Sequence, residues 1–207
     1  VEAALTDAAP TASGAGAFRQ RLLDGLADSI AERGYRETTV ADIVRNAKTS
    51  KRTFYGEFPS KEECFVDLLR TNNDHLIATI QAAVDGEAPW QDQIRAAADA
   101  YVHHIAARPA ITLSWIREAP ALGLAAQPLH RLAMEQLTDM LVDLTDSPGF
   151  RRAGLPPAPR ALALILLGGL RELTAQIVER GTDPHDMTEP AIIAATAILG
   201  PRGVSSE

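Results

Sequence analysis

Thr39–Lys61 reads TVADIVRNAKTSKRTFYGEFPSK, and its punctuation decides the fold. Thr39 is a good helix N-cap, because its hydroxyl can accept from a backbone N–H of the first turn while Asp42, at N3, reaches back toward the cap. The spacing predicts a short helix from there through Ala47, then a tight polar turn, then a second short helix, Lys51–Tyr55, capped by Ser50. Phe54, Tyr55 and Phe58 anchor that second helix to a core, whereas Lys51, Arg52 and Thr53 supply cationic and hydroxyl groups. Two short helices with a basic, hydroxyl-rich second member are what a helix-turn-helix DNA reader requires.

Upstream, Leu22, Leu23, Leu26, Ala27 and Ile30 form one face of a first helix that stops at Gly34, a residue suited to a left-handed C′ position. Before it, Val1–Gly16 is small and polar, with too little apolar surface to fold, and is expected to be a disordered tail. It has no basic n-region and so does not read as a secretory signal. Downstream, Pro59 and Ser60 open a long helix with Phe65, Leu68, Leu69, Leu76, Ile80 and Ala83 at apolar positions. Further helices are expected at Trp90–Ala106, Pro109–Arg117, Pro128–Thr145, Pro159–Arg180 and Glu189–Leu199, with a loop at Ser147–Pro159. The stripe Leu129, Leu132, Ala133, Leu137, Met140, Leu141 and Leu144 repeats at helical spacing. Strand signals are nearly absent. The expected fold is all-α: a helix-turn-helix domain at 17–62, a larger helical domain at 63–200 and a short tail at 201–207.

The chain has 207 residues and a net charge of −7, ordinary composition for a soluble protein, and one cysteine, Cys64. A lone cysteine excludes an internal disulfide framework and suits a reducing cytosol, so a cytoplasmic location is expected. The longest apolar run, Ala161–Leu170, is too short to cross a bilayer. Between Val44 and Lys61, Arg45, Lys48, Lys51, Arg52 and Lys61 stand against Glu57 alone, a local +4 that leaves −11 for the rest. A small basic patch on an acidic body fits a DNA reader docked by one end.

In such a motif the second helix enters the major groove. That puts Thr49, Ser50, Lys51, Arg52 and Thr53 at base edges, where Arg and Lys donate to guanine and the Thr methyl packs on thymine. Thr39, Tyr55 and Lys61 are placed for phosphates, and so is Lys48 in the turn. The segment resembles the DNA-binding domain of the TetR family of transcriptional regulators. Gly34-Tyr35 before Thr38-Thr39-Val40, Asp42-Ile43, the run Ser50–Tyr55 (SKRTFY), and Phe58, Ser60, Lys61 and Glu62 carry the likeness. Two positions depart from it. Lys48 stands where glycine normally takes positive φ, at roughly 1 kcal/mol of backbone cost. Glu57 stands where His is common, and its charge is wrong for a phosphate. The remainder resembles the family only in helix number and length.

The resemblance implies a ligand pocket and a dimer interface in the larger domain, and hence a repressor that binds a pseudo-palindromic operator as a homodimer and is released by a small molecule. Candidate pocket residues are Tyr101, His104, Trp115, Met134, Gln136 and Met140, with Trp90 a further aromatic on these helices. With few charges nearby, a neutral or weakly polar apolar ligand is expected. Candidate interface residues are Leu166, Gly169, Leu170 and Arg171 on one helix and Ile193 and Ala197 on the last, with Arg171 and Glu172 able to pair across a two-fold axis. An activator, or an accessory protein without an inducer, is the alternative. Catalysis, a metal and a cofactor are not expected. His103 and His104 point about 100° apart on a helix, and no zinc-protease, nucleophile-elbow or phosphate-loop motif occurs. Cys64, beside Glu62 and Glu63, is a poor thiolate and so a weak redox sensor.

Overall fold

The computed structural model describes residues 12–125 and 127–201, and among them the chain is helical throughout, with no strand, the all-α class that the periodicity predicts. The helices are α1 (Ala12–Glu37), α2 (Val40–Asn46), α3 (Lys51–Glu57), α4 (Lys61–Ala83), α5 (Trp90–Ala107), α6 (Pro109–Arg117), α7 (Gln127–Thr145), α8 (Pro148–Arg152), α9 (Arg160–Glu179) and α10 (Thr188–Leu199). Short 3-10 turns, Ala119–Ala125 and Pro184–Met187, lead into α7 and α10. The chain divides into two compact units after Leu68, within α4.

In the first unit α1 breaks at Gly34, whose φ of 79° only glycine adopts without strain. Ala12–Gly16 are helical although composition assigns them to a tail, because extending a packed helix by a turn needs no new nucleus. Residues 1–11 and 202–207, the rest of the two expected tails, lie outside the described residues. Leu22, Leu26, Ile30, Ile43, Phe54, Phe58 and Phe65 are fully buried, each contributing about 1.5–3 kcal/mol by area. Gly25 sets the spacing of α1 and α2. A Cβ there would lie 2.7 Å from Ile43 O and 2.8 Å from Ala47 N. Ser29 Oγ donates to Gly25 O at 2.7 Å and Asn46 Nδ2 donates to Ser29 Oγ at 3.0 Å, so the same seam is closed by hydrogen bonds.

In the second unit the main core joins Trp90, Ile94, Leu141, Phe150, Ala163, Leu166, Ala191, Ala195 and Leu199. Ser147–Pro159, expected as a loop, contains α8. Pro148 begins it, and Gly149 N donates to Gly86 O at 2.9 Å. Ser147 Oγ donates to Gln93 Oε1 at 2.8 Å, and Gln93 Nε2 donates to Ala88 O at 2.8 Å. A Cβ on Gly149 would overlap both Ala88 O and Gln93 Nε2, which is why the segment can close over α5. One further expectation needs correction. By length and composition Arg160–Glu179 is apolar enough to cross a membrane, because the apolar pattern resumes beyond Arg171-Glu172. Only 22% of its apolar window is buried within the chain.

Candidate nucleic-acid interface, effector cavity and apolar face

α2 begins as predicted. Thr39 is its N-cap: Asp42 N donates to Thr39 Oγ1 at 3.3 Å, and Thr39 N donates to Asp42 Oδ2 at 2.9 Å. These bonds, the Thr39 side-chain bond foremost, hold the Asp42 carboxyl down at about 2. The turn is as expected, with Lys48 at φ 50°. Ser50 caps α3, accepting from Thr53 N at 3.1 Å. Phe54 and Phe58 fix α3 to the core from one side, so Lys51 and Arg52 lie exposed on the other, together with Ser50 and Lys48. Thr49 and Thr53 are half-buried beside them. Tyr55 is 58% exposed, its ring edge-on to Phe54.

The basic patch is smaller than a charge count implies. Arg45 Nη2 lies 2.9 Å from Asp42 Oδ1 and is spent within the fold. Glu57 is half-buried against Arg19, whose Nη1 donates to Glu57 O at 3.2 Å. Lys61, expected to face phosphate, is turned inward: Nζ donates to Thr38 O at 2.9 Å and to Tyr35 O at 3.2 Å and lies over the Tyr35 ring. It satisfies carbonyls where α1 ends. Lys48, Lys51 and Arg52 form no ion pair among the described residues and remain as the available cations. Cys64 is fully buried, and burial pushes its thiol up to about 12, which closes the redox-sensor reading.

In the second unit a cavity of about 80 Å³ is bounded by α4, α5, α6, α7 and α9. Tyr101, His104, Trp115, Met134 and Met140, five of the six candidates, line it. Gln136 does not, but it accepts from Asn73 Nδ2 at 3.1 Å, and Asn73 does line it. Trp90 packs on Phe150 in the main core instead. Thr174 Oγ1 donates to Leu170 O at 2.8 Å, so its 2.9 Å contact with Tyr101 oxygen is a bond donated by the tyrosine. His104 is buried to a pKa of about 4, and its Nδ1 meets His75 Nδ1 at 3.3 Å. The partner His75 is not apparent from sequence, since it faces His104 only once α4 and α5 pack.

Arg171, expected at an interface, lines this cavity and is half-buried within the chain. Its Nη2 donates to Ile116 O at 3.1 Å and its Nη1 to His130 Nε2 at 3.3 Å. Glu172 pairs instead with Arg117, Nη1 to Oε2 at 3.0 Å, and Arg117 also holds Glu179. Within the chain, then, Arg171 and Glu172 each already have partners on other helices. Leu166 is likewise buried in the core. The outward face of α9 is Ala161, Leu164, Ile165, Gly168 and Gly169, spaced by three and four. Leu164 is 51% exposed, Ile165 63% and, on α10, Ile193 66%, with Ala197 exposed one turn on and Leu170 half-buried. Leu164 and Ile165 lie inside the apolar run Ala161–Leu170, where only the packing of α9 shows which residues point outward.

Residues 22–68 match the family described as bacterial regulatory proteins, tetR family. Over 90 residues the chain is 38% identical to the HTH-type transcriptional repressor KstR2 of Mycobacterium tuberculosis, a match covering 42% of this chain. The chain thus spans less than half, 45%, of that curated relative's length. Among solved structures, the fatty acid degradation regulator FadR of Bacillus halodurans superposes with a TM-score of 0.70 at 18% identity, covering 91% of this chain and 97% of that one. FadR of Bacillus subtilis, solved in complex with stearoyl-CoA, gives 0.67 at 16% identity over 88% and 99%. A tetR-family regulatory protein from Rhodococcus RHA1 gives 0.69 at 18% identity over 89% and 98%. The three superpositions show the fold over the parts of the chain that they cover.

Proposed function

Given a DNA-binding domain that belongs to the TetR family of bacterial regulatory proteins, we propose that this chain is a cytoplasmic repressor that binds a pseudo-palindromic operator as a homodimer and is released by a small molecule. The observation that carries this reading is the exposed, unpaired set Lys48, Lys51 and Arg52 around α3, in a chain whose remaining surface is acidic. A repressor is favoured over an activator because the curated relative matched over 90 residues is named as one.

Arg52 and Lys51 read bases, with Thr49, Ser50 and Thr53 beside them, while Lys48, Thr39 and Tyr55 hold phosphates. Arg52→Ala is expected to cost about 1–3 kcal/mol and to relax preference at one position per half-site. Lys48→Gly relieves the strained φ while removing a charge, so it should stabilise the fold yet weaken all sequences equally and flatten the salt slope. Fluorescence anisotropy on a duplex from upstream of its own gene reads both. Equal, sequence-independent losses would reduce Arg52 to a phosphate contact.

The cavity is proposed as the effector site, with α4 supplying residues both to it and to the core of the N-terminal unit. An effector moves the operator equilibrium only by its differential affinity for two states, so a tenfold release needs about 1.4 kcal/mol of coupling. Linkage requires operator DNA to weaken effector binding by the same factor. Titrating Trp115 fluorescence with and without operator measures it, and identical affinities would reject induction.

A further inference from the structure

Three nitrogens in the second unit are buried without a hydrogen-bond partner: His104 Nε2, His130 Nδ1 and Arg171 Nε. His104 and Arg171 line the cavity, and His130 is the residue that Arg171 touches. Because a guanidinium only donates, His130 Nε2 must accept from Arg171. That fixes the neutral tautomer and leaves the proton on the unpartnered Nδ1. A cation, its free N–H and a second free N–H donor therefore stand together with no acceptor supplied.

No residue lining the cavity is acidic. Glu172, next in sequence to Arg171, is engaged by Arg117 at 3.0 Å, and so is Glu179 at 2.6 Å. Arg171 forms no ion pair among the described residues, its only hydrogen bonds being those to Ile116 O and His130. Burying a charge without a counter-charge costs stability unless something else supplies one, and every other wall of the cavity is apolar or neutral.

We infer that the effector is an apolar molecule bearing one anionic group of the carboxylate class, bound by the Arg171 guanidinium, with its apolar part against Leu76, Ile80, Leu137, Met140 and Leu167. This replaces the neutral ligand that the sequence suggests, and it rests on the cavity being the effector site. Arg171 is hidden from a sequence reading because it follows Gly168-Gly169 on a helix whose outward and inward faces are both apolar. A fork-shaped donor among largely apolar walls gives a carboxylate charge-assisted bonds that an amide cannot match.

Calorimetric titration of the purified protein, without DNA, with octanoate and with octanamide tests this. Octanoate should bind at least tenfold more tightly. Arg171→Met should abolish that preference while leaving octanamide within twofold, and Arg171→Lys should keep part of it. Equal affinities in the natural chain would overturn the inference yet leave the cavity as an apolar site. Binding of neither probe would overturn both. A preference that survives Arg171→Met in a folded variant would overturn the assignment to Arg171. Should Arg171→Met not fold, the comparison of the two probes on the natural chain decides alone.

Discussion

An Ile165→Glu chain is expected to sediment as a monomer at micromolar concentrations at which the natural chain should sediment as a dimer, and to lose tight operator binding with it. Ile165 is 63% exposed at the centre of an outward stripe that continues through Leu164, Gly168 and Gly169, with Ile193 of the adjacent α10 equally bare. A contiguous apolar surface of this kind marks an interaction site. In a two-fold dimer the same patch meets itself, so each glutamate would face its own copy. An uncompensated buried charge costs about 3–5 kcal/mol, which alone raises the dissociation constant roughly a hundredfold to several thousandfold. A variant that still sediments as a dimer would place the two-fold elsewhere.

Gly25→Val should unfold or strongly destabilise the DNA-reading unit. The seam between α1 and α2 leaves no room for a Cβ, since the obstructing atoms Ile43 O and Ala47 N are backbone, at 2.7 and 2.8 Å. Valine gains only a few tenths of a kcal/mol in helix propensity over glycine. Overpacking costs about 1–3 kcal/mol, and here rigid helices rather than flexible side chains must give. In a domain this small each kcal/mol lowers the melting temperature by about 4–8 °C. Calorimetry should show the first unit melting well below the second, with DNA binding lost. A melting temperature unchanged or raised would mean that α1 and α2 separate freely.

The first unit was legible because its signals are local. Thr39 with Asp42, and Ser50 with Thr53, are cap pairs within one turn, and the strained Lys48 followed from a missing glycine. What escaped was decided by direction rather than position. Lys61 carries a charge that any sequence reading offers to solvent, yet α1 ends where its amine can reach two carbonyls. Arg171 and Leu166 sit beside Leu164 and Ile165, and only the phase of α9 against α6 and α7 sorts the inward pair from the outward one. The polar partners of the cavity, His75, Asn73 and His130, come from other helices, so no spacing along the chain could join them to Tyr101 or Trp115. The short helix α8 was missed because its packing glycine and prolines read as a loop until Gln93 is placed beneath them.

Selection of binding sites from random duplex DNA by the full chain should enrich an inverted repeat whose half-sites lie about one helical turn apart or a multiple of it. One position in each half should lose its preference when Arg52→Ala is used for the selection. Recovery of pools no different from the input, or of single unrepeated motifs indifferent to Arg52, would contradict operator binding as a dimer.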